Sequence, residues 1–199
     1  MQVYDNMLMF LSCLKNPKRV GSIIPSSKYL AAKVISYVPW ESVELMAELG
    51  AGTGAITQFY SSKLPIDTKV LLFERDKRMR NHLKSKYPNF LYHSNASYLQ
   101  KKMNQENIQQ LDCIICGLPF FYFSNEMKQH ILQQIWTALK PGGFLVLYQN
   151  SLHMRKKLSE QFDIERIEFV ALSFLPAFVY VCRKIEDNTI CSSNLSSFS

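Results

Sequence analysis

Three glycines at alternate positions, Gly50, Gly52 and Gly54, follow an acidic side chain in the run Glu48-Leu49-Gly50-Ala51-Gly52-Thr53-Gly54. The run lies where a strand-like apolar pattern hands over to a helical one. Glycines at such a junction let the backbone turn sharply and let a ligand approach closely, because no Cβ stands in the way. The helix start behind them offers unpaired N–H groups. Glu74 follows about 24 residues after Gly50, at the end of the next strand pattern. A carboxylate there can accept both hydroxyls of a ribose. The spacing is that of a nucleoside-binding unit. A dinucleotide site usually shows G-x-G-x-x-G, whereas this turn reads G-x-G-x-G. Glu48 beside it disfavours a pyrophosphate and suits a ligand with a cationic amino end.

A second set of residues sits at the ends of later strand patterns. The third strand pattern ends at His93-Ser94-Asn95-Ala96, and the fourth at Gly117-Leu118-Pro119-Phe120-Phe121-Tyr122-Phe123. Open α/β sheets place their ligands at such carboxyl ends. Aromatic faces there can bind a cation, each contributing roughly 0.5–2 kcal/mol. Phe120, Tyr122 and the more distant Tyr180 are the candidates for such a cation cage. Cys113 and Cys116 form a CxxC inside the apolar run LDCIIC. Residues three apart on a strand point to opposite faces, so this pair reads as core packing and no metal site is expected.

The elements that must hold these residues alternate. VELMAEL, KVLLFE, FLYH, LDCIIC and FLVLYQ read as strands, and two β-rich stretches follow at 164–173 and 177–183. Helical patterns cover roughly 27–37, the stretch after the glycine turn to Ser62, Lys77 to Lys86, 97–110, 125–139 and a basic segment at 152–161. Pro141-Gly142-Gly143 reads as a turn. Alternation of this kind predicts a mostly parallel seven-stranded sheet with helices on both faces, and the last two strands predict an antiparallel edge hairpin.

Ahead of this unit, Val3, Met7, Phe10, Leu11 and Leu14 recur at helical spacing, giving an expected amphipathic helix over about 3–15. Lys15, Lys18 and Arg19 close it. Such a segment can lie in an anionic membrane interface or cover a pocket. The chain has 199 residues with 47% apolar content, which predicts one domain over 1–184 and a disordered Ser-rich tail over 185–199. Its net charge of +7 points to an anionic partner. Five cysteines argue against a disulfide framework. No apolar run is long enough to span a bilayer and no signal pattern opens the chain, so a cytoplasmic protein is expected.

ELGAGTG resembles the first motif of class I S-adenosylmethionine-dependent methyltransferases. That resemblance implies a Rossmann-like fold with S-adenosyl-L-methionine as cofactor and S-adenosyl-L-homocysteine as product. It implies Gly50, Gly52 and Gly54 around the methionine part, Glu48 near its amino end and Glu74 on the ribose. Asn95 and Ala96 then fall at the adenine. Gly117-Leu118-Pro119-Phe120 is similar to the N-P-P-Y-type motif of amino-group methyltransferases, which include the rRNA adenine dimethyltransferases, but Gly117 replaces the polar first residue. The Gly-Leu-Pro form is more like bacterial phospholipid N-methyltransferases, as are FLSCLKNPKRVGSIIPSSKYLA near the start and PAFVYVCRK near the end. This implies transfer of methyl groups to the amino headgroup of phosphatidylethanolamine or a related aminolipid, by a peripheral protein at the inner face of the plasma membrane. Gly117, Pro119, Phe120, Tyr122 and Tyr180 would then position the amine. Methylation of rRNA adenine or of a soluble small amine are the other readings; Gly117 and the lack of a helical C-terminal domain speak against a nucleic-acid partner.

Overall fold

Seven strands hydrogen-bond in the order β3-β2-β1-β4-β5-β7-β6, with the first five parallel and β7 antiparallel to both its neighbours. They are β1 (Leu45–Leu49), β2 (Lys69–Phe73), β3 (Leu91–His93), β4 (Leu111–Cys116), β5 (Leu139–Gln149), β6 (Phe162–Val170) and β7 (Ala177–Lys184). The computed structural model describes residues 25–171 and 176–185. The expected N-terminal helix, and the tail after Ile185, lie outside the described residues. The expected mostly parallel sheet with an antiparallel edge pair is what the chain forms.

Winding runs outward from β1 through β2 to β3, then restarts on the other side at β4. The order reverses between β1 and β4, and the carboxyl ends of those two strands flank the crevice where such sheets bind ligands. Both faces are covered, as a parallel sheet requires. One face, carrying Leu49, Phe73, Cys116, Leu147 and Tyr180, packs under α4 (Leu99–Gln105), α5 (Asn125–Ala138) and α6 (Arg155–Ser159). The opposite face, carrying Met46, Val70, Cys113, Ile115 and Val146, packs under α1 (Pro25–Ile35) and α2 (Thr57–Tyr60). Cys113 and Cys116 therefore belong to different sides of the sheet, and both are buried free thiols. Leu83 of α3 (Lys77–Lys86) closes a third small cluster with Ala51 and Leu72.

Local chemistry sets several boundaries. Asp76 caps α3 by accepting the amide hydrogens of Arg78 and Met79, and Ser124 caps α5 by accepting that of Met127. Asp112 joins the lower ends of β4 and β1: its Oδ2 accepts from Glu44 and Leu45 at 2.9 and 2.8 Å, and its Oδ1 pairs with Lys140. At the same end Lys184, the last residue of β7, donates to the Leu139 carbonyl at 2.7 Å and stands over the Trp136 ring.

Four expected boundaries shift. The helix of 97–110 ends at Gln105, because Asn107 takes φ 55° and Ile108 N donates back to Met103 O. After the glycine turn only Thr57–Tyr60 is α-helical. The basic segment splits into a 3-10 turn at Leu152–Met154 and the short α6. Pro141-Gly142-Gly143 lies within β5: Leu139 already pairs with Leu111, and the register slips before Cys113 meets Phe144.

Candidate functional site

The chain leaves β1 at Leu49 and bends at once toward β2. Gly50 N and Ala51 N both donate to Phe73 O, the last carbonyl of β2, at 2.8 and 3.1 Å. Gly50, Gly52 and Gly54 hold φ of 81°, 57° and 82°, left-handed values that side chains disfavour. A Cβ on Gly50 would crowd Leu118 Cδ2 and the backbone of Gly117, and one on Gly54 would meet Leu83 Cδ2 at 2.6 Å. The turn is thus a bare-backbone cradle pressed between β4 and α3.

Glu74 fixes the cradle from the side. Its Oε2 accepts from Gly52 N and its Oε1 from Asp76 N, both at 2.7 Å. Its own amide donates to His93 O, and Arg80 Nη1 donates to its carbonyl. Each carboxylate oxygen keeps a further lone pair, so the group can also receive ligand hydroxyls.

Glu48 is buried on the side of the sheet under α2. Thr57 Oγ1 and Tyr60 Oη both donate to its Oε2 at 2.7 Å. Tyr60 is itself held by stacking on Trp40. Glu48 Oε1 is buried with no hydrogen-bond partner among the described residues. Burial pushes its carboxyl from 4.5 up to about 7, against the two hydroxyl donors and with help from the Glu74 charge. An orphaned acidic oxygen beside a cradle without side chains fits a ligand with a positively charged amino end. Neither Thr57 nor Tyr60 stood out in the sequence. The usable signal was their spacing of three, which puts both on one helical face opposite the preceding strand.

Farther along the sheet tip, Asn95 Oδ1 accepts from Ser97 N and starts the 3-10 turn Ala96–Tyr98. Ala96 is buried and Asn95 exposed, leaving the amide group of Asn95 on the surface. After β4, Gly117 N donates to Leu49 O, and Gln149 of β5 donates to Leu118 O at 2.8 Å. These bonds hold the Gly117-Leu118-Pro119 segment against the glycine turn.

The three rings expected to form a cation cage separate. Phe120 is fully buried, edge-on to Phe123. Tyr180 is fully buried as well, and its hydroxyl donates to Ser151 O. Both belong to the core under α5 and α6 and turn no open face to a ligand. Only Tyr122 is exposed, at 45%, with Phe121 at 53% set edge-on to it. Phe121 in turn meets the ring of His153, whose Nδ1 is hydrogen-bonded with Ser151 Oγ. Burial, with Lys128 nearby, holds the His153 imidazole below its usual range. Among the described residues no cluster of His, Cys, Asp and Glu has a metal-binding arrangement, and no helix is long and apolar enough to cross a membrane.

A family described as a methyltransferase domain matches residues 46–143. The chain is 26% identical over 189 residues to the ornithine lipid N-methyltransferase of Singulisphaera acidiphila, covering 92% of this chain and 98% of that one. Among solved structures it is similar to the N-methyltransferase NodS of Bradyrhizobium japonicum in complex with S-adenosyl-L-homocysteine (TM-score 0.68, 12% identity, 81% of this chain and 89% of that one). It is also similar to the 1,6-didemethyltoxoflavin-N1-methyltransferase of Burkholderia thailandensis (TM-score 0.68, 13% identity, 93% and 90%). The matched domain runs from β1 through the glycine turn and the β2 tip into β5, on a sheet that reverses where a nucleoside site belongs: the chain is a class I S-adenosylmethionine-dependent methyltransferase.

Proposed function

We propose that this enzyme methylates the amino headgroup of a membrane lipid, either ornithine lipid or phosphatidylethanolamine and its partly methylated forms. The observation that carries the reading is the near end-to-end likeness to an ornithine lipid N-methyltransferase. The exposed pair Phe121 and Tyr122 beside the Gly117-Leu118-Pro119 segment supports it, because aromatic faces suit a headgroup that becomes a fixed cation.

When bound, S-adenosylmethionine supplies a methyl group on positively charged sulfur, open to displacement by a neutral amine. In this reading Gly50, Gly52 and Gly54 wrap its methionine part and Glu48 faces the amino end. Glu74 receives the ribose hydroxyls, while Asn95 and Ala96 border the adenine. Gly117, Pro119 and Tyr122 line the approach of the amine. The work of these residues is alignment and exclusion of water, which lowers the pKa of an alkylammonium and frees its lone pair. Residues 1–184 act as one catalytic domain. The amphipathic stretch over 3–15, closed by Lys15, Lys18 and Arg19, attaches it to an anionic membrane surface as a peripheral protein of the cytoplasmic face, each near-surface cation contributing about 1 kcal/mol.

The test incubates the protein and labelled S-adenosylmethionine with phosphatidylcholine vesicles containing ornithine lipid, phosphatidylethanolamine or neither. Label in either aminolipid and none in the plain vesicles is expected. Label only in added RNA or soluble amines would overturn the reading. Sedimentation with vesicles containing phosphatidylglycerol should be lost on Phe10→Asp plus Leu14→Asp.

A further inference from the structure

The last paired residues of β4 and β5 are Cys116 and Leu147. One step beyond, Gly117 and Tyr148 stand next to each other at the carboxyl tip of the sheet. A Cβ built on Gly117 would fall inside the van der Waals envelope of Tyr148 Oη and Cζ. The phenol therefore fills the space a side chain at 117 would need, and it reaches that space from the neighbouring strand. Gly50 completes the row on β1, since a Cβ there would come within 3.3 Å of the Gly117 carbonyl carbon. The bare α-carbon beside the hydroxyl, Gly117, thus also abuts Gly50 of the glycine turn.

The ring of Tyr148 packs with the apolar side chains of the face under α1 and α2. Among the described residues no hydrogen bond engages its hydroxyl, although Gln149, Gly117 and Glu74 beside it all have theirs. Burial, with the carboxyl groups of Glu48 and Glu74 nearby, keeps the phenol protonated. It is a neutral hydrogen-bonding group, not a base.

We propose that Tyr148 holds the acceptor amine, its hydroxyl oxygen receiving an N–H hydrogen bond that aims the nitrogen lone pair at the methyl carbon. The proposal rests on the amine-methylating function given above. In the transfer the lone pair forms the new N–C bond as the sulfonium C–S bond breaks, its electron pair staying on sulfur. A primary or secondary amine then sheds one proton to water, and Tyr148 exchanges none. A primary amine has N–H bonds to offer, a secondary amine has one, and a tertiary amine has none. Tyr148 therefore favours the first and second methylations over a third.

The experiment compares wild type with Tyr148→Phe on vesicles containing ornithine lipid, phosphatidylethanolamine, or the N-methyl and N,N-dimethyl derivatives of phosphatidylethanolamine. Binding of S-adenosylhomocysteine is measured in parallel by calorimetry. The expected result is about a tenfold loss of kcat/KM on primary and secondary headgroups, and a loss several-fold smaller on the tertiary one. Cofactor-product affinity should stay within twofold, which also reports an intact fold. Equal losses on all headgroups, or none, would overturn the role of Tyr148. If wild type labels no lipid, the lipid reading falls, and ethanolamine with its N-methyl and N,N-dimethyl forms decides on Tyr148 by the same ratio. If no amine is accepted at all, both fall.

Discussion

Glu74 accepts the amide hydrogen of Gly52 at 2.7 Å, so the tip of β2 and the turn after β1 move as one piece. A side chain expected only to meet a ribose also shapes the cradle it faces. Glu74→Gln offers one acceptor oxygen in place of two, so either the turn or the ligand loses a charged acceptor. Such bonds contribute about 1.5–3 kcal/mol, which predicts roughly 10–100-fold weaker S-adenosylhomocysteine binding. Titration calorimetry checks this, and unchanged affinity would exclude Glu74 from the cofactor site.

Glu48 makes binding depend on pH. Its folded carboxyl titrates near 7, above its ordinary 4.5. Below the ordinary value both folded and unfolded chains hold the proton. As pH rises toward 7 the unfolded chain has released it and the native state has not, so stability falls across that window. A cationic ligand end favours the ionised form. S-adenosylhomocysteine should therefore bind about tenfold more tightly at pH 8 than at pH 6, with proton release. Calorimetry in buffers of different ionisation heats reads both effects, and Glu48→Gln should abolish them.

The fit of Tyr148 over Gly117 predicts strong coupling between the two positions. Gly117→Ala should cost about 1–3 kcal/mol by overpacking. Added to Tyr148→Ala, the same change should cost far less, because the vacated space accepts the methyl group. Denaturant unfolding of the four proteins measures the coupling; simple additivity would contradict the observed packing.

Asp112 should set part of the acid sensitivity. Burial alone would raise its carboxyl, but Lys140 and the amides of Leu45 and Glu44 outweigh that and hold it below the ordinary range. The stabilisation is complete above the ordinary carboxyl value and is lost as pH falls through the lower folded value. Asp112→Asn should unfold more easily at pH 7, by about 1 kcal/mol given its partial exposure, and should differ less from wild type at pH 3. Thermal unfolding at the two pH values tests the convergence.

The strands and the glycine turn were legible in the sequence because each apolar run ends at a residue with a local reason to turn. LDCIIC and Lys77–Lys86 kept their expected limits, the helix behind the Asp76 cap. Contacts set by register between strands were not legible. Nothing in FLVLYQ alone says that Tyr148 reaches past its own strand to Gly117. Phe120 and Tyr122, two residues apart, look equivalent as sequence, yet one is core and the other surface. The start of β5 at Leu139 was hidden because Pro-Gly-Gly signals a turn equally well when it carries a strand through a bulge.

The strand order carries a consequence for how the chain comes into being. Among the described residues the last strand along the chain, β7, sits between β5 and β6 and is anchored by Lys184 at the Leu139 carbonyl. Until that stretch leaves the ribosome, the facing margins of β5 and β6 have no neighbour, so completion of the sheet must wait until residues 177–184 have emerged. A nascent chain stalled near residue 176 is expected to need chaperone cover, whereas one stalled far enough past Lys184 for β7 to clear the exit tunnel is not.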